Sequence, residues 1–176
     1  GSQRTSGRYG HRLAAAWNPA PPPTLVQAVD TALCLLADHE LATSTLAVRV
    51  AASVRASPYG AIAAGLATVD GALHGSASLA VHRLLERCST EGTASVIGQL
   101  RAERRLVPGF GHKVYRSVDP RFTPLMEAVR PLDTNGDRIN LIDEVQTEVG
   151  RTISQPPNID LALGALTWVA DLDAQV

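Results

Sequence analysis

The sequence predicts an all-α protein, and three observations carry that prediction. Aromatic residues make up only 4% of the chain, while alanine is abundant, a balance that favours closely packed helices over a β-sandwich. Apolar residues recur at spacings of three and four through most of the chain, the period of a helix face. Breaker clusters separate these stretches, as in "NPAPPP" at 18–23, Asp70-Gly71 and "SQPPNID". No segment carries a firm strand signal. At 176 residues, the chain fits one domain, or one lobe of a larger enzyme, with a real core.

Taken in order, Gly1-Ser2 reads as a tag remnant and residues 3–10 as loose and polar. A short helical piece, "HRLAAAW" at 11–17, meets the stiff connector "NPAPPP" at 18–23, in which prolines forbid helix. A helix then starts with Thr24 as N-cap, and Leu25, Val29, Ala32, Leu33 and Leu36 mark its inner face. "ADHELATST" interrupts it before "LAVRVAASVRA" resumes the period. Ser57-Pro58 suits the start of the next helix, with Pro58 at its first position, and Asp70-Gly71 ends it. "ALHGSAS" reads as a turn into "LAVHRLLERC". Further helices are expected at 93–104, 122–130 and 137–150. A proline-broken loop, "SQPPNID", leads to a final helix from Leu161 that runs toward the chain end.

Composition also excludes several functions. Sixteen basic and seventeen acidic side chains leave a formal charge of −1, so the chain lacks the footprint of a nucleic-acid or anionic-membrane binder. No apolar run reaches the roughly 18 residues of a membrane span, and no signal-peptide pattern is present. Cys34 and Cys88 stand far apart without a C-x-x-C partner, which reads as two reduced packing residues in a cytoplasmic protein. No metal-ligand spacing is present: the histidine of "DHELAT" has threonine, not histidine, four residues on.

Polar residues interrupt the apolar helices at four places, and each admits a bland reading. Asp38-His39-Glu40 could hold a hydrogen-bonded core histidine. Leu73-His74-Gly75 could be a helix-to-helix turn, and Gly111-His112 with Arg116 and Arg121 a solvated basic loop. Asn158-Ile159-Asp160, behind Pro156-Pro157, could be a helix cap. Together they suit carbanion chemistry. One carboxylate takes a proton from a weakly acidic carbon, a neutral histidine stabilises the enol oxygen, and another polarises the electrophilic carbonyl. The basic groups of 107–121 suit anionic carboxylates or phosphates.

The wording of these segments carries a resemblance. "LLADHELATSTLAVRVAAS", "SPYGAIAAGLATVDGALHGSAS", "VPGFGHKVYRSVDPR" and "PPNID" resemble, in order, the signature segments of the citrate synthase family, which includes methylcitrate synthases. The likeness runs from about Thr24 to Leu166, and the third segment is the most specific. It implies a multi-helical fold of a large and a small domain, dimeric, that condenses oxaloacetate with acetyl-CoA. By resemblance, His74 stabilises the acetyl-CoA enol, Asp160 removes the methyl proton, and His112 polarises the oxaloacetate carbonyl. His39 and Arg121 are implied for oxaloacetate, and Arg116 with the backbone of Val107, Pro108, Gly109, Phe110 and Gly111 for coenzyme A. The glycines of that loop are expected to let the coenzyme approach the backbone closely. No permanently bound cofactor and no metal are implied, acetyl-CoA being a co-substrate.

The resemblance further divides the chain into a lead-in (1–23), large-domain helices (24–75), a small helical domain (76–155) and a return to the large domain (156–176). Family members are longer, and two further arginines that they turn on substrate carboxylates would fall beyond this segment. A second reading therefore stands beside the enzyme: a catalytically incomplete module that binds CoA or pairs with another subunit. A homodimer is expected through the alanine-rich helices at 44–69, whose small side chains allow close helix contact.

Overall fold

A computed structural model describes residues 9–37, 42–71, 75–112, 117–152 and 154–173. Among them the chain forms helices α1 (Tyr9–Trp17), α2 (Pro23–Leu36), α3 (Thr43–Ser53), α4 (Pro58–Val69), α5 (Ala77–Glu91), α6 (Thr93–Ala102), α7 (Phe122–Val129), α8 (Asp137–Thr152) and α9 (Ile159–Val169), with a 3-10 turn at Arg130–Leu132. No strand forms among the described residues; Phe110 and Pro157 make one isolated β-bridge. The fold is all-α, as the sequence predicts.

Helix α9 is the centre of the packing. It lies against α5 and α7, while α2 covers α7, and α6 and α8 complete the layer beside α5. Leu161, Ala162 and Ala165 on α9, Val81 and Leu85 on α5, and Ile142 and Val145 on α8 are wholly buried. Helices α5 and α9 approach closely because Gly164 offers no side chain: a Cβ there would come within 2.5 Å of Val81 Cβ and 2.7 Å of the Ser78 carbonyl. Buried His82 of α5 joins the same contact, with Nδ1 2.8 Å from Thr167 Oγ1. The far end of α9 is held by Arg138 of α8. Its guanidinium hydrogen-bonds the Trp168 carbonyl and the Asp171 carboxylate and stacks 5.3 Å over the Trp168 ring, satisfying carbonyls that a helix end leaves open.

Helices α3 and α4 pack chiefly against each other. No residue of α3 is buried, and α4 buries only Ala61 and Gly65.

Local chemistry explains where the sequence reading succeeds and fails. The start of α4 is as expected: Ser57 is the N-cap, its Oγ accepting from the Gly60 amide at 3.1 Å, with Pro58 following at N1. Thr24, by contrast, is not the cap of α2. Pro22 holds that position and Pro23 begins the helix, because a fixed φ and a missing N–H suit the first helical residue. Cys34 is exposed and Leu33 is 40% exposed; the buried stripe of α2 is Leu25, Ala28, Val29 and Ala32. Cys88 is buried as expected. The last helix starts at Ile159, two residues earlier than expected, and ends at Val169, where Asp171 turns left-handed at φ 56°. No described helix is long and apolar enough to cross a membrane.

Candidate active site

The loop that opens with Val107 is zipped onto the segment entering α9. Gly111 N–H donates to the Pro156 carbonyl at 2.8 Å, and Asn158 N–H donates to the Gly109 carbonyl at 3.0 Å. Asn158 also works with both ends of its side chain. Nδ2 donates to the Gly111 carbonyl at 2.6 Å, and Oδ1 accepts from the Asp160 N–H at 2.9 Å. Asn158 is therefore the N-cap of α9, and its side chain does the capping that the sequence alone could have assigned to Asp160. Asp160 is left in the first turn, where a helix dipole favours negative charge.

Glycine is required in this loop for reasons internal to the fold. Gly109 has φ 84°, and a Cβ there would lie 2.9 Å from both Leu161 Cβ and Val81 Cγ2. Gly111 has φ 79°, with Gln155 Oε1 at 3.0 Å from the same imagined atom. Val107, Gly109 and Phe110 are buried, and Pro108 and Gly111 half-buried. These five residues were expected to offer backbone to coenzyme A; the Gly109 carbonyl and both Gly111 backbone groups already serve the link to α9.

Arg121 sits on the same support. Its Nε and backbone N–H donate to Asp119 Oδ1, each at 3.0 Å, and its Nη2 donates to Asp119 Oδ2 at 2.9 Å. Asp119 Oδ2 also accepts from the Ile159 N–H at 3.1 Å, so the carboxylate bridges the arginine and the first turn of α9. The Asp119 side chain is fully buried and that of Arg121 is 13% exposed. Burial pushes the Asp119 carboxyl up, but hydrogen bonds from Arg121 and Ile159, and the guanidinium charge, outweigh it and hold the group below its ordinary 3.8. A lowered folded value means the bridge contributes stability above the ordinary value and loses it as pH falls through the depressed one.

A cavity of about 370 Å³ opens beside Asp160. Leu36, Val69, Ile159 and Leu163 give it apolar wall, and Ser44, Thr45 and Ser78 bring hydroxyl-bearing side chains. Four parts of the chain meet there: the end of α2, the α3–α4 pair, the start of α5 and α9. His112 is exposed and is not one of its lining residues. His39, His74 and Arg116 lie outside the described residues. A larger cleft of about 650 Å³, near Tyr9, Asp30 and Cys34, includes none of the candidate residues.

Comparison with known proteins decides the family. The profile of the citrate synthase C-terminal domain matches residues 2–176. The chain belongs to the citrate synthase family. A citrate synthase of Dictyostelium discoideum is 42% identical over 105 residues, covering 59% of this chain and 20% of that protein. A citrate synthase of Heyndrickxia coagulans is 34% identical over 147 residues, 79% of this chain and 39% of that protein. The chain thus spans well under half the length of these curated relatives. Among solved structures, citrate synthase of Thermoplasma acidophilum, in ternary complex with carboxymethyl coenzyme A and oxaloacetate, superposes with a TM-score of 0.72 at 25% identity. It covers 94% of this chain and 51% of that one. Citryl-CoA lyase of Hydrogenobacter thermophilus shares the fold at TM-score 0.83 and 23% identity, covering 97% of this chain and 69% of that one.

The sequence names Asp160 and Arg121 as candidates but not the two residues that hold them, Asp119 and Asn158. Asp119 is legible only as one letter of "VPGFGHKVYRSVDPR", and Asn158 only within the Asn158-Ile159-Asp160 cap behind two prolines. The signal for Asn158 was its place before an apolar helix run, the position an N-cap prefers.

Proposed function

We propose that this chain carries the core of a citrate synthase-type condensation of acetyl-CoA, or another short acyl-CoA, with oxaloacetate. The observation that carries the reading is the shared support of Arg121 and Asp160: both are tied to the first turn of α9, one through Asp119 and the other through Asn158, and Asp160 lines a cavity. Asp160 takes a proton from the acyl α-carbon. His74 donates a hydrogen bond to the enolate oxygen, and His112 to the ketone oxygen of oxaloacetate. The enolate carbon then bonds to that ketone carbon, whose oxygen takes a proton. Hydrolysis of the thioester releases CoA. Arg121 and His39 receive the carboxylates of oxaloacetate, because a planar guanidinium matches a carboxylate edge. Arg116 and the parts of the loop 107–111 not engaged with the segment entering α9 hold the coenzyme.

The assay is oxaloacetate-dependent release of free thiol from acetyl-CoA by the purified chain, with Asp160→Ala alongside. Release abolished by the substitution supports the reading. A folded chain that releases nothing turns the reading to a catalytically incomplete member of the family, one that needs further segments or another subunit.

The proposal extends to a homodimer through α3 and α4. Ile62 is 57% and Leu66 65% exposed on α4, and Leu46 and Val50 on α3 are similarly open. Arg49 is the one charged residue within these two helices. An apolar surface of this extent supports a contact site. Sedimentation should report a dimer; a monomer at high concentration would contradict it.

A further inference from the structure

We propose that Asp119 is a positioning residue for this reaction: one buried carboxylate fixes Arg121 relative to Asp160. The inference rests on the roles given above to those two residues. Asp119 is the one buried acid among the described residues. Its two oxygens take four hydrogen bonds, from Arg121 N, Nε and Nη2 and from Ile159 N. The first three come from the end of the 107–121 loop, and the fourth from the residue before Asp160, forty positions further along the chain.

Two comparisons argue for positioning. The pairs Arg87–Glu91 and Arg130–Asp143 lie at the surface with both partners well exposed, whereas Asp119 is fully enclosed. Desolvating an ion pair is costly, and a buried pair is often no more stabilising than an apolar contact of equal size. What such a pair does provide is direction. Asp119 engages the Nε and Nη2 edge of the guanidinium in the parallel two-bond geometry that fixes an arginine plane. The same carboxylate ties that plane to the helix turn carrying the proposed base, so a shift of one is transmitted to the other.

Asp119→Asn keeps the shape but places an NH2 group against donors on one side. In the chain, or in the assembly in which it proves active, the expected result is an oxaloacetate KM raised by about 10–100-fold with a fall in kcat. The acetyl-CoA KM should stay within about two-fold. In a double-substitution cycle read on the oxaloacetate KM, Asp119→Asn should add much less to Arg121→Gln than it costs alone, because the guanidinium through which Asp119 acts on oxaloacetate is then absent. A merely structural role would lower kcat alone by reducing the folded fraction. That pattern, or additive effects in the cycle, overturns the proposal while the proposed function stands. Wild-type protein without turnover would instead remove the proposed function. The Arg121 Nε–H, followed by NMR, then decides the anchoring by itself. Exchange protection in wild type that is lost in Asp119→Asn supports it, and an unprotected wild-type Nε–H overturns it.

Discussion

Helices α4 and α9 are built from nearly the same residue types, and they end in opposite surroundings. Both mix alanine and glycine with leucine, isoleucine and valine, and Asp160 is the only charged residue in either. Helix α9 buries eight of its eleven residues against α5 and α7. Helix α4 buries two of twelve and leans chiefly on α3. Apolar composition thus foretells that a helix will be covered, without saying by what. For α9 the cover is supplied within the described residues. The described residues leave most of α4 open, and the proposed dimer would supply its cover.

Paired substitutions sharpen the contrast. Leu161 has no exposure at all, so Leu161→Ala should cost about 2–5 kcal/mol in urea denaturation, the range for a deleted buried leucine. Leu66→Ala, at 65% exposure, should change the stability of dilute protein by less than about 0.5 kcal/mol. Equal losses would break the comparison. A smaller effect separates two glycines. Gly164→Ala meets the Ser78 carbonyl and Val81 Cβ, neither of which can rotate away, and should cost about 1–3 kcal/mol. Gly65→Ala meets the tip of the Val48 side chain, which can turn, while alanine improves helix propensity by about 1 kcal/mol. Its net effect should be markedly smaller, as thermal melts of the two variants can show.

The weakest consequence concerns thiols. Burial raises the Cys88 thiol to about 11, so little thiolate exists at pH 8, whereas Cys34 is exposed on α2. A thiol reagent should therefore titrate one group in the native chain and a second only on unfolding. Two fast groups in native protein would mean that the α5–α6–α8 layer is looser than described.

Much of the fold was legible because it is local. The cap at Ser57 and the proline after it are written side by side, and the period of α5 needs no distant partner. The errors share a cause. In α2 the spacing of apolar residues gave a stripe that included Leu33, but its width depends on α1 and α7, which decide that Leu33 and Cys34 stay outside. The site divides in the same way. Asp160 and Arg121 belong to motif wording and could be read by resemblance. Asp119 could not, because the group that gives it meaning is the backbone amide of Ile159, and an amide leaves no mark in a sequence. Similarly, Gly109 looked like an opening for a coenzyme, yet its near neighbours are Leu161 and Val81.

The most direct measurement follows carbon, since thiol release alone could be plain hydrolysis of the thioester. The chain would be given acetyl-CoA labelled with carbon-13 in the acetyl group, together with oxaloacetate, and the products read by mass spectrometry. The account predicts labelled citrate in step with free CoA, and neither product from Asp160→Ala. Free CoA without labelled citrate, or labelled citrate that survives Asp160→Ala, would contradict it.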